Sequence, residues 1–540
     1  MTVIRPPFRR SGHRALLLEP ESTEEVHRVW RALRADPAPG VEDVVAGSRT
    51  VLLVLRSEED RCAAELRLLA GVSPLAESGP ARVVTVPVAY DGPDLEEVAE
   101  LAGMHTDEVV RVHTGAVYTV SFLGFSPGFA YLAGVDPALH LPRLATPRRS
   151  VPSGAVALAA GMTAVYPQAT PGGWRIIGRS STRMFDPSKP YAPSLLLPGD
   201  RVRFVAVDRL GPPVGSVGEP AVAPPDGAPY LEVVAAGMSS TVQDRGRSGW
   251  AHLGVPAAGA ADRFAAERAN RLVGNPPDAA VLETVMAGLR IRMGADRRVA
   301  LTGALVELTV DGLPARPETA LPLRAGSELA VGRCLYGLRS YLAVEGGITV
   351  RPVLGSRSTD TLSGIGPPPL RSGDRLPVGP RLPARPRSPT GPPSPVGHRE
   401  RRAGDAGISS SEDSSSTGSP VLPFDGGAVV LRARRGPRDD WVGPGGVEVL
   451  GSAEYRVTSA SDRVGVRLSG PPVAVGTPGQ LSSEGLVPGA VEIPPDGHPI
   501  VMLRNHPSTG GYPVVAVVDD AGVDLLAQCR PGVRVRFEIV

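Results

Sequence analysis

Lysine is almost absent from this chain of 540 residues: Lys189 is the only one. A phosphate loop of the form GxxxxGK[ST] is therefore excluded, as is a biotin-carrier lysine of the Met-Lys-Met kind. A Schiff-base mechanism would have to use Lys189, and nothing near S-K-P recommends it. Cysteine is scarce too. Cys62, Cys334 and Cys529 are far apart and match neither a zinc spacing nor a disulfide framework. Aromatic residues make up only 4%, so cores must be built mainly from Val, Leu and Ala. Charge of one sign is missing as well: 57 basic against 56 acidic residues leave a net +1. That balance argues against a nucleic-acid partner, which needs a basic face. No apolar run reaches the roughly 18–20 residues that span a bilayer. Met1 to Arg14 carries charges with no apolar stretch behind them, unlike a secretory leader. The expectation is a cytoplasmic protein with no membrane and no nucleic acid among its partners.

What the chain does have is glycine (64) and proline (58), the composition of many short strands joined by tight turns. Its length predicts three or four domains. Three phrases then recur in the same order. V-P-S-G-A-V from Val151, T-P-G-G-W ending at Trp174 and G-D-R-V-R-F at Gly199–Phe204 match a second set. That set is V-P-G-A-V from Val487, S-T-G-G-Y ending at Tyr512 and G-V-R-V-R-F at Gly532–Phe537. Val151 to Gly172 spans 21 positions and Val487 to Gly510 spans 23, which predicts one domain type used twice.

Residues 15–103 alternate strand and helix. Ala15–Leu18 and Thr50–Leu55 are strands. Ser22-Thr23-Glu24-Glu25 opens a helix in capping-box form. Glu58–Ala70 places Ala63, Leu66, Leu69 and Ala70 at helical spacing. Arg82–Tyr90 alternates as a strand, and Asp94 opens another helix. From Tyr118 short Val-rich runs between Gly and Pro turns favour a barrel or sandwich. One helix stands out later, from Asp262, a good N-cap, to Val273 before Gly274. The predicted architecture is mainly β with α+β. A small α+β domain (1–112) precedes a barrel (113–206) and a linker (207–229). A second barrel-like domain (230–380), a disordered Pro/Ser/Arg-rich insertion (381–423) and a last barrel (424–540) follow.

S-F-L-G-F-S-P-G-F-A-Y-L at Ser121–Leu132 is unusually specific, since strand physics alone asks for no Gly-Phe-x-Pro-Gly-Phe. Phe125 and Pro127 within it point to a rigid loop holding rings, or to a turn with packed rings. With L-A-T-P-R-R, V-P-S-G-A-V and Y-P-Q-A-T-P-G-G-W-R-I-I-G-R, it resembles the B-type component of the ATP-dependent 5-oxoprolinase, the allophanate hydrolase subunit 1 type. T-V-Q-D-R-G-R-S-G from Thr241, G-V-P-A-A-G-A-A-D, A-N-R-L-V-G-N, L-S-S-E-G-L-V-P-G-A-V and H-P-S-T-G-G-Y-P are similar to the C-type component of the same enzyme. That is the allophanate hydrolase subunit 2, or biotin-dependent carboxyltransferase-like, type. The sequence departs from the usual pattern at Asn505, where relatives often carry Asp, and at Ser153-Gly154-Ala155.

The resemblance implies three cyclophilin-like barrels and a fusion of two components that fixes their ratio. It implies a component of an ATP-dependent lactam hydrolase that opens 5-oxoproline and is inactive alone. An A-type subunit is the expected partner, the substrate is a small amide, and homo-oligomerisation is left open. ATP with Mg²⁺ is implied, and biotin is not expected on this chain. Two alternatives stand beside it: carboxyl transfer from carboxybiotin to urea or a related amide, and non-enzymatic inhibition of a histidine kinase.

Amide activation by phosphorylation needs cations for the phosphoryl group and donors for the oxyanion. Arg148, Arg149 and Arg179 in the first barrel, and Arg245 and Arg247 beside Gln243 and Asp244, are of the right type. Surface arginines are also often simply solvated. Gly172-Gly173 and Thr509-Gly510-Gly511-Tyr512 would let backbone amides approach an anion, or would merely make hairpins. Asp244, Arg247 and His506 are the catalytic candidates, His506 as a proton carrier near neutrality. His113 is the more structural histidine. Asn270 completes the binding candidates beside a helix end, and Glu283 enters by the resemblance alone.

Overall fold

The computed structural model describes residues 4–73, 81–189, 191–211, 227–381, 427–476 and 481–540. Most of the expected linker at 207–229, and all but Arg381 of the expected insertion at 381–423, lie outside the described residues.

The N-terminal body is an antiparallel sheet in the order Phe8–Arg10, Ala15–Leu18, Val51–Leu55, Val41–Ala46. Thr23–Ala35 and Glu58–Ala70 are its helices, started by Ser22 and Ser57, whose hydroxyls accept from the Glu25 and Asp60 amides. Alternation explains the run A-L-L-L. Leu16 and Leu18 face Val26, Val29 and Trp30 of the first helix. Ala15 and Leu17 face Leu486, Ala490 and Val517 of the last barrel. The sheet is thus buried on both sides and mortars the two ends of the chain together. The second helix turns the other way from the sequence reading. Ala64 and Leu68 are buried with Arg61, while Leu66 (71% exposed) and Leu69 (64% exposed) face outward.

Two bodies share one strand order. In the first it runs Arg175–Arg179, Ala155–Ala159, Met162–Val165, Ala130–Ala133, Tyr118–Leu123, Arg201–Ala206, Val83–Val88. In the last it runs Val514–Val518, Ala490–Glu492, Ile500–Met502, Gly465–Ser469, Glu454–Val457, Arg534–Ile539, Val429–Arg435, closed into a barrel. In each the final pair is parallel. The first is closed by the reciprocal backbone bonds of Ala89 and Arg179, both 2.9 Å, and by the Gly92 and Asp94 amides donating to the Ile177 and Ile176 carbonyls at 3.3 and 3.0 Å. Each carries a two-stranded ribbon at its double-glycine phrase: Arg148–Val151 with Thr170–Gly172, and Glu484–Gly485 with Thr509–Gly510. The repeat seen in sequence is a repeat in space.

Two expectations are corrected. The boundary at residue 112 falls inside the first barrel. Val83–Val88 pairs with Arg201–Ala206, and the helices Leu95–Ala102 and Thr106–Gly115 contribute Val98 and Val109 to that core. A strand's sheet is set by its long-range partner, which local alternation does not name. The middle body is not a third copy. Its pairings are all antiparallel among the described residues, along an open path from which Arg297–Val310 branches off Glu328–Val344. Register shifts between Gly303 and Leu308 bend this long ribbon and let it serve two sheets. Its helix Arg263–Val273 begins and ends as expected, with Asp262 accepting from the Ala265 amide and Gly274 left-handed at φ 84°.

Candidate active site at the seam between the barrels

The loop after Tyr118–Leu123 is shaped by three missing side chains. A Cβ on Gly124 would lie 1.9 Å from Thr509 Oγ1 of the last barrel's ribbon. A Cβ on Gly254 of the middle body would lie 2.4 Å from the Ser126 carbonyl. Gly128, left-handed at φ 74°, donates its amide to the Leu253 carbonyl at 2.8 Å. The loop therefore touches both other bodies by backbone contact. Leu253, Val255, Leu354 and Ile365 continue the first barrel's hydrophobic core. Backbone strain gathers here: Phe125, Ala258 and Leu354 hold φ of 64°, 53° and 51°. Each costs on the order of 1–3 kcal/mol, and such residues concentrate where function requires them. Phe125 is half-buried, edge-on to Phe129 at 5.5 Å, and Pro127 is buried.

On the middle body, Asp244 is a clamp. Its carboxylate accepts from the Gly246 amide (2.8 Å), the Ser356 and Ser358 hydroxyls (2.6 Å each) and the Arg357 amide (2.6 Å). Asp244, expected as a catalytic residue, is thus engaged in fixing the 356–358 loop and the Gly246 turn. That loop holds Arg247, only 2% exposed, through the Ser358 carbonyl. Arg247 Nε and Nη1 have no partner among the described residues. Burial pulls its pKa down while the Asp360 and Asp244 carboxylates oppose this, and a guanidinium keeps its proton. A buried cation with two unspent donors is costly unless a ligand or water completes it.

The network crosses into the last barrel at Asp360, which accepts from Asn505 Nδ2 at 2.8 Å. The Asn at this position therefore donates to a carboxylate where an Asp would have repelled it. Gln243 donates to the Thr359 carbonyl at 3.1 Å. Gln243 Oε1, Thr359 Oγ1, Asn505 Oδ1, Ser508 Oγ and Ser126 Oγ are all buried without partners among the described residues. Unspent polar atoms thus come from all three bodies at the seam. His506 is also buried, with Nδ1 on the Pro507 carbonyl at 2.7 Å. Burial lowers its pKa to about 4, so the expectation of titration near neutrality is corrected. It is a neutral ring whose Nδ1–H donates, leaving Nε2 as acceptor.

The remaining candidates are placed as follows. Glu283 is buried against Arg463 and Arg339 and accepts the Ala261 amide at 2.9 Å, a support behind the Thr241–Gln243 strand. Asn270 spends its amide on Ala279 (2.7 Å) and Asn275 (3.0 Å), which makes it a helix-end brace rather than a ligand. Arg245 is paired with Glu267 at 2.9 Å and Arg179 with Asp91 at 2.8 Å, both as exposed ion pairs. Arg148 reaches Asp94 at 2.5 Å. Arg149 is exposed and has no ion pair among the described residues. Gly172 leaves room for Tyr166 OH, which a Cβ would approach to 2.5 Å, and Gly173 accepts from the Leu144 amide at 2.8 Å. Thr509 sits on Gly124, Gly510 on Glu492, and Tyr512 is 43% exposed. Beside Gly511 the ribbon ends. His113, bonded to Tyr90 OH at 2.7 Å and Thr163 at 3.1 Å, is structural as expected, its pKa lowered by burial to about 3. Sequence reasoning missed Ser126, Ser358, Thr359, Asp360, Ser508 and Glu492. Only the polar run S-R-S-T-D at 356–360 offered a signal.

Comparison with known proteins matches two stretches of the chain to one domain family. Residues 253–539 match the carboxyltransferase domain, subdomains A and B, and residues 6–196 match subdomains C and D. The chain is similar to the C-type subunit of 5-oxoprolinase from Escherichia coli K12, at 35% identity over 57% of this chain and 90% of that protein. It is similar to the B-type subunit of 5-oxoprolinase from Escherichia coli O157:H7, at 39% identity over 36% of this chain and 93% of that protein. Urea amidolyase of Lachancea kluyveri is 30% identical over 57% of this chain, which spans only 17% of that protein. Among solved structures, TTHA0988 superposes with a TM-score of 0.82 at 35% identity, covering 97% of this chain and all of that one.

Proposed function

The chain belongs to the carboxyltransferase-domain family and carries both its A/B and C/D pairs of subdomains, and from this premise we propose that it is the fused B-type and C-type component of an ATP-dependent 5-oxoprolinase. One observation carries the reading. Each half aligns over nine-tenths of a separate 5-oxoprolinase subunit, and the halves meet at a seam lined with unspent polar groups. The partner is a separate A-type protein, and the chain is inactive without it.

An unstrained lactam opens readily once its oxygen is phosphorylated, and ATP supplies that phosphoryl group. The residues at the seam suit the anion so formed. Arg247 offers two N–H groups from a desolvated, rigidly held guanidinium, where a charge-assisted bond is strongest. Asp244 and Ser358 hold that guanidinium in register, and Asp360 joins it to Asn505. Neutral His506 provides an acceptor through Nε2 for a substrate N–H or water. Among the described residues no group of three His, Cys, Asp or Glu stands ready to hold a metal. None of the roles assigned here passes through a Mg²⁺ ion.

The test is ATP hydrolysis dependent on 5-oxoproline, measured with the chain and a candidate A-type subunit together and apart. Activity only in the mixture supports the reading, and Arg247→Met should then lower kcat by about 100-fold or more. No activity in the mixture overturns it. A second reading, carboxyl transfer to an amide, is favoured by the carboxyltransferase character of the family and by the likeness to urea amidolyase. It predicts activity with a biotinylated carrier supplied in trans.

A further inference from the structure

Beneath the 508–512 turn lies a carboxyl group that the chemistry above does not use. Glu492 belongs to the last barrel strand Ala490–Glu492 and is 3% exposed. Its Oε1 has no hydrogen-bond partner among the described residues. The Tyr512 backbone amide and Arg467, exposed on the Gly465–Ser469 strand one strand removed in the barrel, favour its charged form against the larger effect of burial. The turn is built around this side chain: a Cβ on Gly510 would lie 2.3 Å from Glu492 Oε1. The adjacent Thr509 is the residue that abuts Gly124 of the first barrel. Glu492, Gly510, Thr509 and Gly124 thus form a line of contact from the interior of one barrel to the loop of the other.

The corresponding place in the first barrel has no carboxyl. By the repeat, Glu492 matches Ala157, and the polar atom under Gly172 is the hydroxyl of Tyr166, which is neutral at ordinary pH. One copy of the fold therefore carries a neutral support under its double-glycine turn, and the other an ionisable one.

We propose that Glu492 is a positioning residue: carrying its proton it supports the 508–512 turn against the first barrel, and on losing it the turn opens and the seam loosens. An ionised oxygen with no donor at Oε1 must find water, and the cover it can displace without breaking the barrel sheet is Gly510. Burial raises the pKa of the group to about 7, which puts the change in the working range. The importance of the turn for activity rests on the function proposed above. The conformational claim does not.

Hydrogen exchange tests it on the full chain. After correction for the chemical pH dependence of amide exchange, the amides of the 508–511 turn should exchange faster as pH rises toward about 7, by up to about tenfold per pH unit, and level off above it. In Glu492→Gln, which keeps the shape without the charge, the corrected rate should be flat. A flat wild-type profile, or a variant rising as steeply, overturns the proposal. Infrared titration of the wild type gives an independent reading should the variant fold poorly. A protonated buried carboxyl band lost across neutrality is expected, and its absence at about pH 6 overturns the proposal. If the mixture with an A-type subunit shows no lactam-dependent ATP hydrolysis while exchange behaves as expected, this inference stands without the functional one.

Discussion

Replacing Asp244 by Asn separates a clamp from a catalyst. Oδ1 takes three donors and Oδ2 takes the Arg357 amide at 2.6 Å. An Asn that keeps its oxygen on the three-donor side turns its NH₂ toward the Arg357 N–H, setting two donors face to face. One charge-assisted bond is lost, worth about 1.5–3 kcal/mol, and a buried donor is left unpaired. The three other bonds weaken because their acceptor is now neutral. The expected cost is about 2–4 kcal/mol, concentrated in the 356–358 loop. Urea unfolding should show the loss, and hydrogen exchange should show it first at Arg357. Activity should fall because Arg247, held by the Ser358 carbonyl, loses its register. Rescue should be partial wherever stabilising conditions restore the loop. The reasoning is refuted if Asp244→Asn abolishes activity while stability and Arg357 exchange stay at wild-type values, since Asp244 would then act on substrate directly.

Gly124→Ala should destabilise the seam by about 1–3 kcal/mol, because its Cβ would lie 1.9 Å from Thr509 Oγ1. Thr509→Gly should recover most of that in a double-mutant cycle by urea unfolding. Glu283→Gln should cost about 3–5 kcal/mol, since it leaves Arg463 and Arg339 buried with no counter-charge. The Glu283 carboxyl is held below its ordinary range, by Arg463 foremost and against the opposing effect of burial. Its contribution is present above the unfolded pKa and disappears as pH falls through the folded one, so acid unfolding of the variant should be less steep than that of the wild type. The Asp262–Asp524 pair works in the opposite sense: burial and mutual repulsion hold a proton on it above the ordinary range. Its stabilisation is complete below the unfolded pKa and is lost as pH rises through the folded one. Asp262→Asn should flatten stability between about pH 4 and 7 in thermal unfolding. Arg149→Ala should leave stability within about 0.5 kcal/mol, as expected for an exposed residue without an ion pair among the described residues. A fall in activity at unchanged stability would assign Arg149 to substrate or nucleotide.

Much of the fold was legible in the residues. Ser22, Ser57, Asp262 and Gly274 mark helix ends by side-chain bonding or left-handed geometry, both local properties of the chain. The matched phrases at 151–204 and 487–537 became the same strands and ribbons in two barrels, because a turn of two glycines and an alternating V-R-F strand dictate the same local path twice. Of the site, the sequence singled out the 121–132 loop and the 508–512 turn, which touch through Gly124 and Thr509, and Arg247, which is held by the Ser358 carbonyl.

What the sequence alone determined was local: the caps, the turns, the alternation, the repeat, and the exclusion of a lysine phosphate loop and a biotin-carrier lysine. Tertiary structure decided the rest. It assigned Val83–Val88 to the barrel rather than to the N-terminal sheet, spent the Asp244 carboxylate on a loop more than a hundred residues away, and buried His506 until it could not titrate near neutrality. The physical reason is that strand partners, lone-pair occupancy and desolvation are set by groups distant in the chain. No window of neighbouring residues contains them.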